Sequence, residues 1–259
     1  MVNSSTKIFK AGNLNVHIYE DRRTLGSQSA ENVGKLISEL LKEQEEIRMI
    51  FAAAPSQNEF LEELSKNKSI DWSKITAFHM DEYINLPSDS PELFSRYLND
   101  HIFSKVKFKN VFLINPKTDD PQSECSRYSE LLNQKPIDIV CMGIGENGHI
   151  AFNDPPVADF DDQALVKIVE LEEKCKAQQV NDAGFKTVDE VPKTAFTLTV
   201  PALFSGKFLN IVVPGIRKAE AVRDTLYSEI STKCPATILR THSNAVLYLD
   251  KDSASLLNN

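Results

Sequence analysis

The chain has 259 residues, of which 41% are hydrophobic and 25% charged, as in water-soluble globular proteins with a sizeable core. Its formal net charge of −8 at pH 7 argues against nucleic acid or an anionic membrane surface as the main partner. No apolar run approaches the roughly 18 residues of a membrane span. Residues 1–10 lack an apolar run of signal-peptide length. We therefore expect a cytoplasmic protein.

The four cysteines are far apart in the sequence and form no C-x-x-C pair. This spacing predicts neither a cysteine metal site nor a disulfide framework, so we expect reduced thiols. The residues are Cys125, Cys141, Cys175 and Cys234.

Apolar periodicity and turn residues predict helices that alternate with short buried strands. A serine is expected to cap the first helix, and Pro91 to occupy the first turn of the third. In chain order we predict a helix at 27–46, strand 47–54, helix 58–67, strand 75–80, a helix from 90 to 103, strand 111–114, helix 120–134, strand 137–143, strands 196–200 and 208–213, a helix from 215 to 229 and strand 245–250.

This alternation is typical of a single α/β domain over 1–259. We predict a doubly wound, Rossmann-like fold with a mainly parallel sheet and helices on both faces. Residues 153–190 are polar and acid-rich, and they predict an excursion from the core, with a mobile lid around 155–190.

Ligands of open α/β sheets bind outside the carboxyl ends of the strands. That rule selects four loops as the candidate site. They are 54–57, 81–83, 143–154 and 214–218.

Gly143, Gly145 and Gly148 have the G-x-G-x-x-G spacing of a dinucleotide-binding turn. That reading requires a helix to begin at the third glycine, but Pro155 and Pro156 leave no room for a long one. We therefore predict no bound NAD or FAD. The glycines then serve to turn the chain tightly after a buried strand.

His149 follows these glycines, and Glu146 or Asp154 could orient it for proton transfer. Asp81, after another buried strand, is a second candidate. The simpler roles are a histidine that only hydrogen-bonds its loop and an aspartate that only caps a turn. Two strand-end loops that each offer a proton-transfer group favour a catalytic site.

The remaining two loops offer donors to an anion. Free amides and the Ser56 hydroxyl precede one helix, and Lys218 precedes another. Ser56 could instead be a plain cap, and Lys218 a solvated charge. The sequence shows no metal-ligand spacing and no G-x-S-x-G motif, so we predict no metal.

Four motifs, in this order, resemble the family of glucosamine-6-phosphate deaminases (isomerases), which shares its fold with 6-phosphogluconolactonase. The likeness covers nearly the whole chain. The string HIAFN resembles the motif of the deaminase branch rather than that of the lactonase branch. The motifs are HMDEYINLP (79–87), GIGENGHIAFNDP (143–155), VPKTAFTLTV (191–200) and GIRKAEAV (215–222).

The resemblance implies that Asp81 moves a proton from C2 to C1 of the open-chain amino sugar and that His149 opens the pyranose ring. Asp154 would orient His149, with Asn147 and Glu146 nearby. The products would be a ketose 6-phosphate and ammonia, with no cofactor or metal. The predicted substrate and phosphate contacts are Ala54, Ser56, Gln57, Glu82, Gly145, Gly148 and Lys218.

The chain departs from the family pattern at several positions. Asn147 stands where an aspartate is usual, and Asp154 where a glutamate is usual. A family arginine of the lid segment has no clear counterpart, although Gln178 or Gln179 stands near its place. The resemblance allows monomers through hexamers, so a homo-oligomer stays open.

The leading hypothesis is conversion of glucosamine 6-phosphate to fructose 6-phosphate and ammonia. A galactosamine-6-phosphate deaminase is a related hypothesis, because the sequence does not show which epimer fits. Two further hypotheses are a lactone hydrolase of the 6-phosphogluconolactonase type and a sugar-phosphate sensor that has lost turnover. In each case the partner is a small sugar phosphate.

Overall fold

A computed structural model of the chain describes residues 5–257. Its main sheet has eight strands in the order β1-β2-β11-β10-β7-β3-β4-β6. These strands are β1 (Ser5–Ala11), β2 (Leu14–Tyr19), β3 (Ile47–Phe51), β4 (Ile75–His79), β6 (Asn110–Phe112), β7 (Ile139–Met142), β10 (Phe208–Val213) and β11 (Ala245–Asp250).

A smaller, three-stranded antiparallel sheet is formed by the remaining strands. They are β5 (Asp81–Tyr83), β8 (Val166–Glu170) and β9 (Thr194–Leu198), in the order β5-β9-β8. The α-helices are α1 (Arg22–Leu40), α2 (Asn58–Lys66), α3 (Phe94–Leu98), α4 (Pro121–Asn133), α5 (Glu173–Ala183), α6 (Val200–Phe204) and α7 (Ala219–Tyr227).

The predicted α/β class and mainly parallel sheet are confirmed. Every pairing in the large sheet is parallel except that of β1 with β2. Successive residues of a strand point to opposite faces. Accordingly, Ile50 packs in one buried cluster with α4, α6 and α7, while Phe51 packs in another with α1, α2 and α3. Helices therefore cover both faces.

The strand order places a crevice between β3 and β7. After β3 the chain continues outward through β4 and β6, and with β7 it returns to the other side of β3. The loops that leave the carboxyl ends of β3 and β7 consequently diverge. Such a topological switch point is where open α/β sheets bind ligands.

Three helix starts differ from the prediction. The first helix begins at Arg22, because the carboxylate of Asp21 accepts the amide of Thr24 and caps it in place of a serine. The third begins at Phe94 and continues as a π-helical turn, Asn99–Phe103, so Pro91 lies before it. The last helix begins at Ala219, because Ile216–Lys218 forms a 3-10 turn.

The N-terminal hairpin of β1 and β2 was not predicted, whereas the predicted excursion at 153–190 has structure of its own. Its strand β8 pairs with β9, and its helix α5 adjoins the crevice. The mobility of this segment stays a prediction. Among the helices of residues 5–257, none has the length and apolar character to cross a membrane.

Candidate active site

A cavity of about 530 Å³ lies at the switch point. All four predicted loops contribute to its wall, because the strands before them end at the same edge of the structure. The predicted residues that line it are Ala54, Ser56, Asp81, Gly145, His149 and Lys218.

The loop after β7 turns tightly and begins no helix, as predicted. The amide of Gly148 donates to the carbonyl of Gly145 over 3.0 Å, and the amide of Gly145 donates to the carbonyl of His149 over 2.9 Å. A Cβ atom at position 145 would lie 2.2 Å from the imidazole of His149. Gly148 has a φ of +83°, and a Cβ there would meet the sulfur of Cys234 at 2.4 Å. Gly145 therefore makes room for the histidine, whereas Gly148 packs away from the cavity.

His149 is buried and is oriented by two side chains of its own loop. Its Nδ1 lies 2.8 Å from Oδ1 of Asn147 and 3.0 Å from Oδ1 of Asp154. Asn147 also donates its Nδ2 to Oδ1 of Asp154 over 2.8 Å. The three side chains thus close a ring of polar contacts, and Asn147 supplies an acceptor as a carboxylate would.

Asp154 is the carboxylate of this group. Its burial opposes ionisation, but hydrogen bonds from His149 and Asn147 outweigh burial and hold the pKa of Asp154 below its usual value. An ionised Asp154 accepts the Nδ1 proton and fixes the tautomer. Nε2 of His149 has no hydrogen-bond partner among residues 5–257, so it is the nitrogen available to a ligand in the cavity.

The thiol of Cys175 on α5 also lies beside this pair. The ligand-type atoms of His149, Asp154 and Cys175 lie within 4.8 Å of one another, which is a grouping that could hold a metal ion. Nδ1 of His149 is already engaged by Asn147 and Asp154, so hydrogen bonding accounts for the grouping.

The proposed role of Glu146 beside the histidine is wrong. Its Oε1 lies 3.4 Å from Nη1 of Arg217, and its amide donates to Gln178. The backbone turn at 145–148 directs this side chain toward Arg217, so Asp154 alone serves as the carboxylate of His149.

Asp81 begins β5 and is buried at the cavity wall. Its carboxyl group has no hydrogen-bond partner among the described residues. Burial, with a smaller contribution from the neighbouring Glu82, raises the pKa of Asp81 well above its usual value. A carboxyl group tuned in this way is suited to accept a proton from carbon.

Glu82 and Gln57 do not line the cavity, which corrects their assignment as direct contacts. The carboxylate of Glu82 accepts the backbone amides of Phe94 and Ser95, and so caps α3. Nε2 of Gln57 donates to Ser56 Oγ and to the carbonyl of Val212. Both side chains therefore support the cavity wall from behind.

The end of the cavity near Ser56 and Lys218 is suited to an anion. The turns Pro55–Gln57 and Ile216–Lys218 lead directly into α2 and α7, whose first amides lack helical partners. Lys218 is only 8% exposed. Its ammonium group has neither an ion pair nor a hydrogen bond in the described part of the chain. Burial lowers the pKa of Lys218, while Asp182 and Glu146 oppose that shift.

Several cavity residues were not predicted. Arg22 pairs with Glu59 at one rim, and Arg217 pairs with Asp182 of α5 at 3.0 Å. The adjacency of Arg217 to Lys218 was the available signal for it. Both glutamines near the place of the missing family arginine line the cavity wall, and Gln178 accepts the Glu146 amide. Gln179 accepts the Tyr83 hydroxyl at 2.7 Å.

The chain matches a family and several known proteins. Residues 20–248 match the family model described as glucosamine-6-phosphate isomerases/6-phosphogluconolactonase. A glucosamine-6-phosphate deaminase of Clostridium botulinum (strain Eklund 17B / Type B) is 38% identical over 201 residues, covering 76% of this chain and 79% of the relative. One of Bacillus cereus (strain B4264) is 35% identical over 227 residues, covering 88% and 84%.

Several solved structures resemble this one, among them a deaminase and a lactonase. A monomeric glucosamine-6-phosphate deaminase superposes with a TM-score of 0.84 at 30% identity, over 93% of this chain and 99% of that one. A 6-phosphogluconolactonase from Thermotoga maritima superposes with a TM-score of 0.75 at 21% identity, over 92% and 100%. At that identity the second match shows the fold alone.

Proposed function

The chain belongs to the family of glucosamine-6-phosphate isomerases and 6-phosphogluconolactonases, and we propose that it is a glucosamine-6-phosphate deaminase. The reaction consumes glucosamine 6-phosphate and water and yields fructose 6-phosphate and ammonia. The observation that carries the proposal is the buried ammonium of Lys218, which has no partner among residues 5–257 and lines the same cavity as Asp81 and His149. A phosphate at Lys218 would hold a sugar against both proton-transfer groups.

The first chemical step is ring opening at His149. Nε2 accepts the proton of the anomeric hydroxyl and returns a proton to the ring oxygen as the C1–O5 bond breaks. Asp154 stabilises the charged imidazole while it holds that proton. The product of this step is an open-chain aldehyde with its amino group on C2.

The second step is proton transfer at Asp81. Its carboxylate removes the proton from C2, which is acidified by the C1 carbonyl, and an enolamine forms as O1 takes up a proton from water. Return of a proton to C1 gives a C2 imine. Water adds to C2, ammonia leaves, and the ketone of fructose 6-phosphate remains. Every proton in this scheme moves on His149, Asp81 or water.

The partner is a small amino-sugar phosphate, and the protein acts in the cytoplasm. Four buried free cysteines, at positions 125, 141, 175 and 234, support a reducing compartment. The protein either acts as a monomer or forms a homo-oligomer.

An ammonia-release assay tests the proposal. Glucosamine 6-phosphate, galactosamine 6-phosphate, unphosphorylated glucosamine and 6-phosphogluconolactone are each incubated with the purified chain. Ammonia, fructose 6-phosphate and lactone hydrolysis are measured, and calorimetry measures binding of each compound. We expect equal amounts of both products from glucosamine 6-phosphate and none with Asp81→Asn. Faster turnover of galactosamine 6-phosphate than of glucosamine 6-phosphate would identify the galactosamine ester as the substrate. Hydrolysis of 6-phosphogluconolactone without deamination, or tight binding without turnover, would overturn the deaminase.

A further inference from the structure

Helix α5 is joined to the two loops beside it by a charged network. Asp182 Oδ1 lies 3.0 Å from Nη2 of Arg217, and Asp182 Oδ2 accepts from Gln178 over 3.0 Å. Gln178 in turn accepts the backbone amide of Glu146. Since Gln178 and Asp182 are one helical turn apart, both lie on the face of α5 that meets the catalytic loop and the Ile216–Lys218 turn.

The two adjacent cations of that turn differ in burial and in pairing. Lys218 is buried and unpaired among residues 5–257, whereas Arg217 is half exposed and has two carboxylates beside it. Asp182 is also the charge that acts most strongly on Lys218. One internal carboxylate thus lies at the anion-binding end of the cavity, near both cations.

We propose that Arg217 is the second cation of the phosphate site and that Asp182 is an internal anion that the substrate phosphate displaces from it. This inference rests on the proposed function. A phosphate monoester carries a charge of about −1.5 to −2 and three acceptor oxygens, so it competes effectively with one carboxylate. A guanidinium can grip two of those oxygens at once.

The exchange also contributes to substrate selection. An amino sugar without a phosphate offers Arg217 only neutral hydroxyl groups, which do not displace a carboxylate. Asp182 therefore raises the discrimination between phosphorylated and unphosphorylated sugars, at the cost of some affinity for the phosphorylated one.

Three variants and one control test this exchange. In Arg217→Gln we expect KM for glucosamine 6-phosphate, and the Kd of inorganic phosphate by calorimetry, to rise about tenfold. In Asp182→Asn, which keeps the side-chain shape, both constants should fall about two- to fivefold, as for loss of a partly exposed ion pair. In the double variant the Asp182→Asn effect should shrink to the part that acts through Lys218. Arg223→Gln, on the exposed side of α7, removes the same charge and should change neither constant.

The result that overturns the inference is an Asp182→Asn variant whose phosphate affinity is unchanged or weaker, or one whose gain is undiminished without Arg217. Thermal unfolding of each variant separates these outcomes from misfolding. The calorimetric arm does not depend on turnover. Absence of ammonia release with the expected phosphate affinities would therefore reject the proposed reaction and retain the exchange. Normal turnover together with an unchanged KM and an unchanged phosphate Kd in Arg217→Gln would reject the exchange and retain the proposed reaction.

Discussion

Asp154 holds His149 by a contact of 3.0 Å between its Oδ1 and Nδ1 of the imidazole, and the same oxygen accepts Asn147 Nδ2 at 2.8 Å. The carboxylate is buried and ionised, and it fixes the proton on Nδ1. Nε2 is left to exchange protons with a ligand. The departure from the family pattern at position 147 thus preserves an acceptor for the ring, and the carboxylate at 154 carries the charge.

Asp154→Asn should lower kcat with little effect on KM. An asparagine can present its amide to Nδ1 and stabilise the wrong tautomer, and it cannot stabilise the imidazolium. Because general acid–base catalysis contributes about 10²–10⁴-fold, the expected loss in kcat lies in that range. Asp189→Asn, at an exposed position, is the control and should retain wild-type rates. Steady-state ammonia release measures both. A wild-type kcat in Asp154→Asn would remove this carboxylate from the mechanism.

The activity should fall on the acid side because Asp81 must be ionised to act as a base. Burial, and then Glu82, raises the pKa of Asp81, so the loss of kcat/KM should begin above the usual carboxyl range. Glu82→Gln removes a neighbouring negative charge and should move this limb to lower pH. Rate profiles of both proteins from pH 4 to about pH 9 measure the shift. A limb that moves to higher pH in Glu82→Gln contradicts the assignment.

Asp81→Asn should stabilise the fold while it abolishes turnover. The folded-state pKa of Asp81 is above its unfolded value, so the unfolded chain loses the proton first as pH rises. Its contribution to stability is therefore present at low pH and is lost as pH rises through the folded pKa. The Tm gain of Asp81→Asn should grow between pH 5 and pH 8, by about 2–4 °C for each kcal/mol. A gain largest at low pH would contradict this sign.

Lys218→Gln should weaken substrate binding without destabilising the protein. The ammonium is buried and has no acceptor among the described residues, so it contributes binding energy only when an anion is present. We expect KM for glucosamine 6-phosphate to rise about tenfold or more, as for lost charge-assisted hydrogen bonds. Tm without ligand should stay equal or rise. Lys42→Gln, at an exposed site, is the matched control. A lower Tm with unchanged KM would make Lys218 structural.

The strands of the fold were the most predictable part. Ile211 and Leu247 lie in apolar runs at 208–213 and 245–250 whose bounds agree with β10 and β11, because strands covered on both faces must be apolar throughout. The start of α1 was missed because Asp21 caps as well as a serine does. The β1–β2 hairpin has weaker apolar runs and was not identified.

The site was predictable as a set of loops but not as a set of contacts. Asp81, His149 and Lys218 follow strand ends, and parallel strands bring such ends together. Glu82 could not be assigned, because two of the three backbone amides that it accepts lie twelve and thirteen residues further on. The choice between Glu146 and Asp154 required the geometry of the turn, which residue type alone does not specify.

Gly148→Ala should destabilise the protein through two separable causes. An alanine at φ +83° is strained, and its Cβ would overlap the sulfur of Cys234. Strain and overpacking together should cost about 2–4 kcal/mol in the free energy of unfolding. Cys234→Ala in the same chain removes the overlap, so the double variant should be more stable than the sum of the two single changes by about 1–3 kcal/mol. Denaturant unfolding of all four proteins measures this coupling, and strictly additive costs would show that the sulfur does not limit position 148.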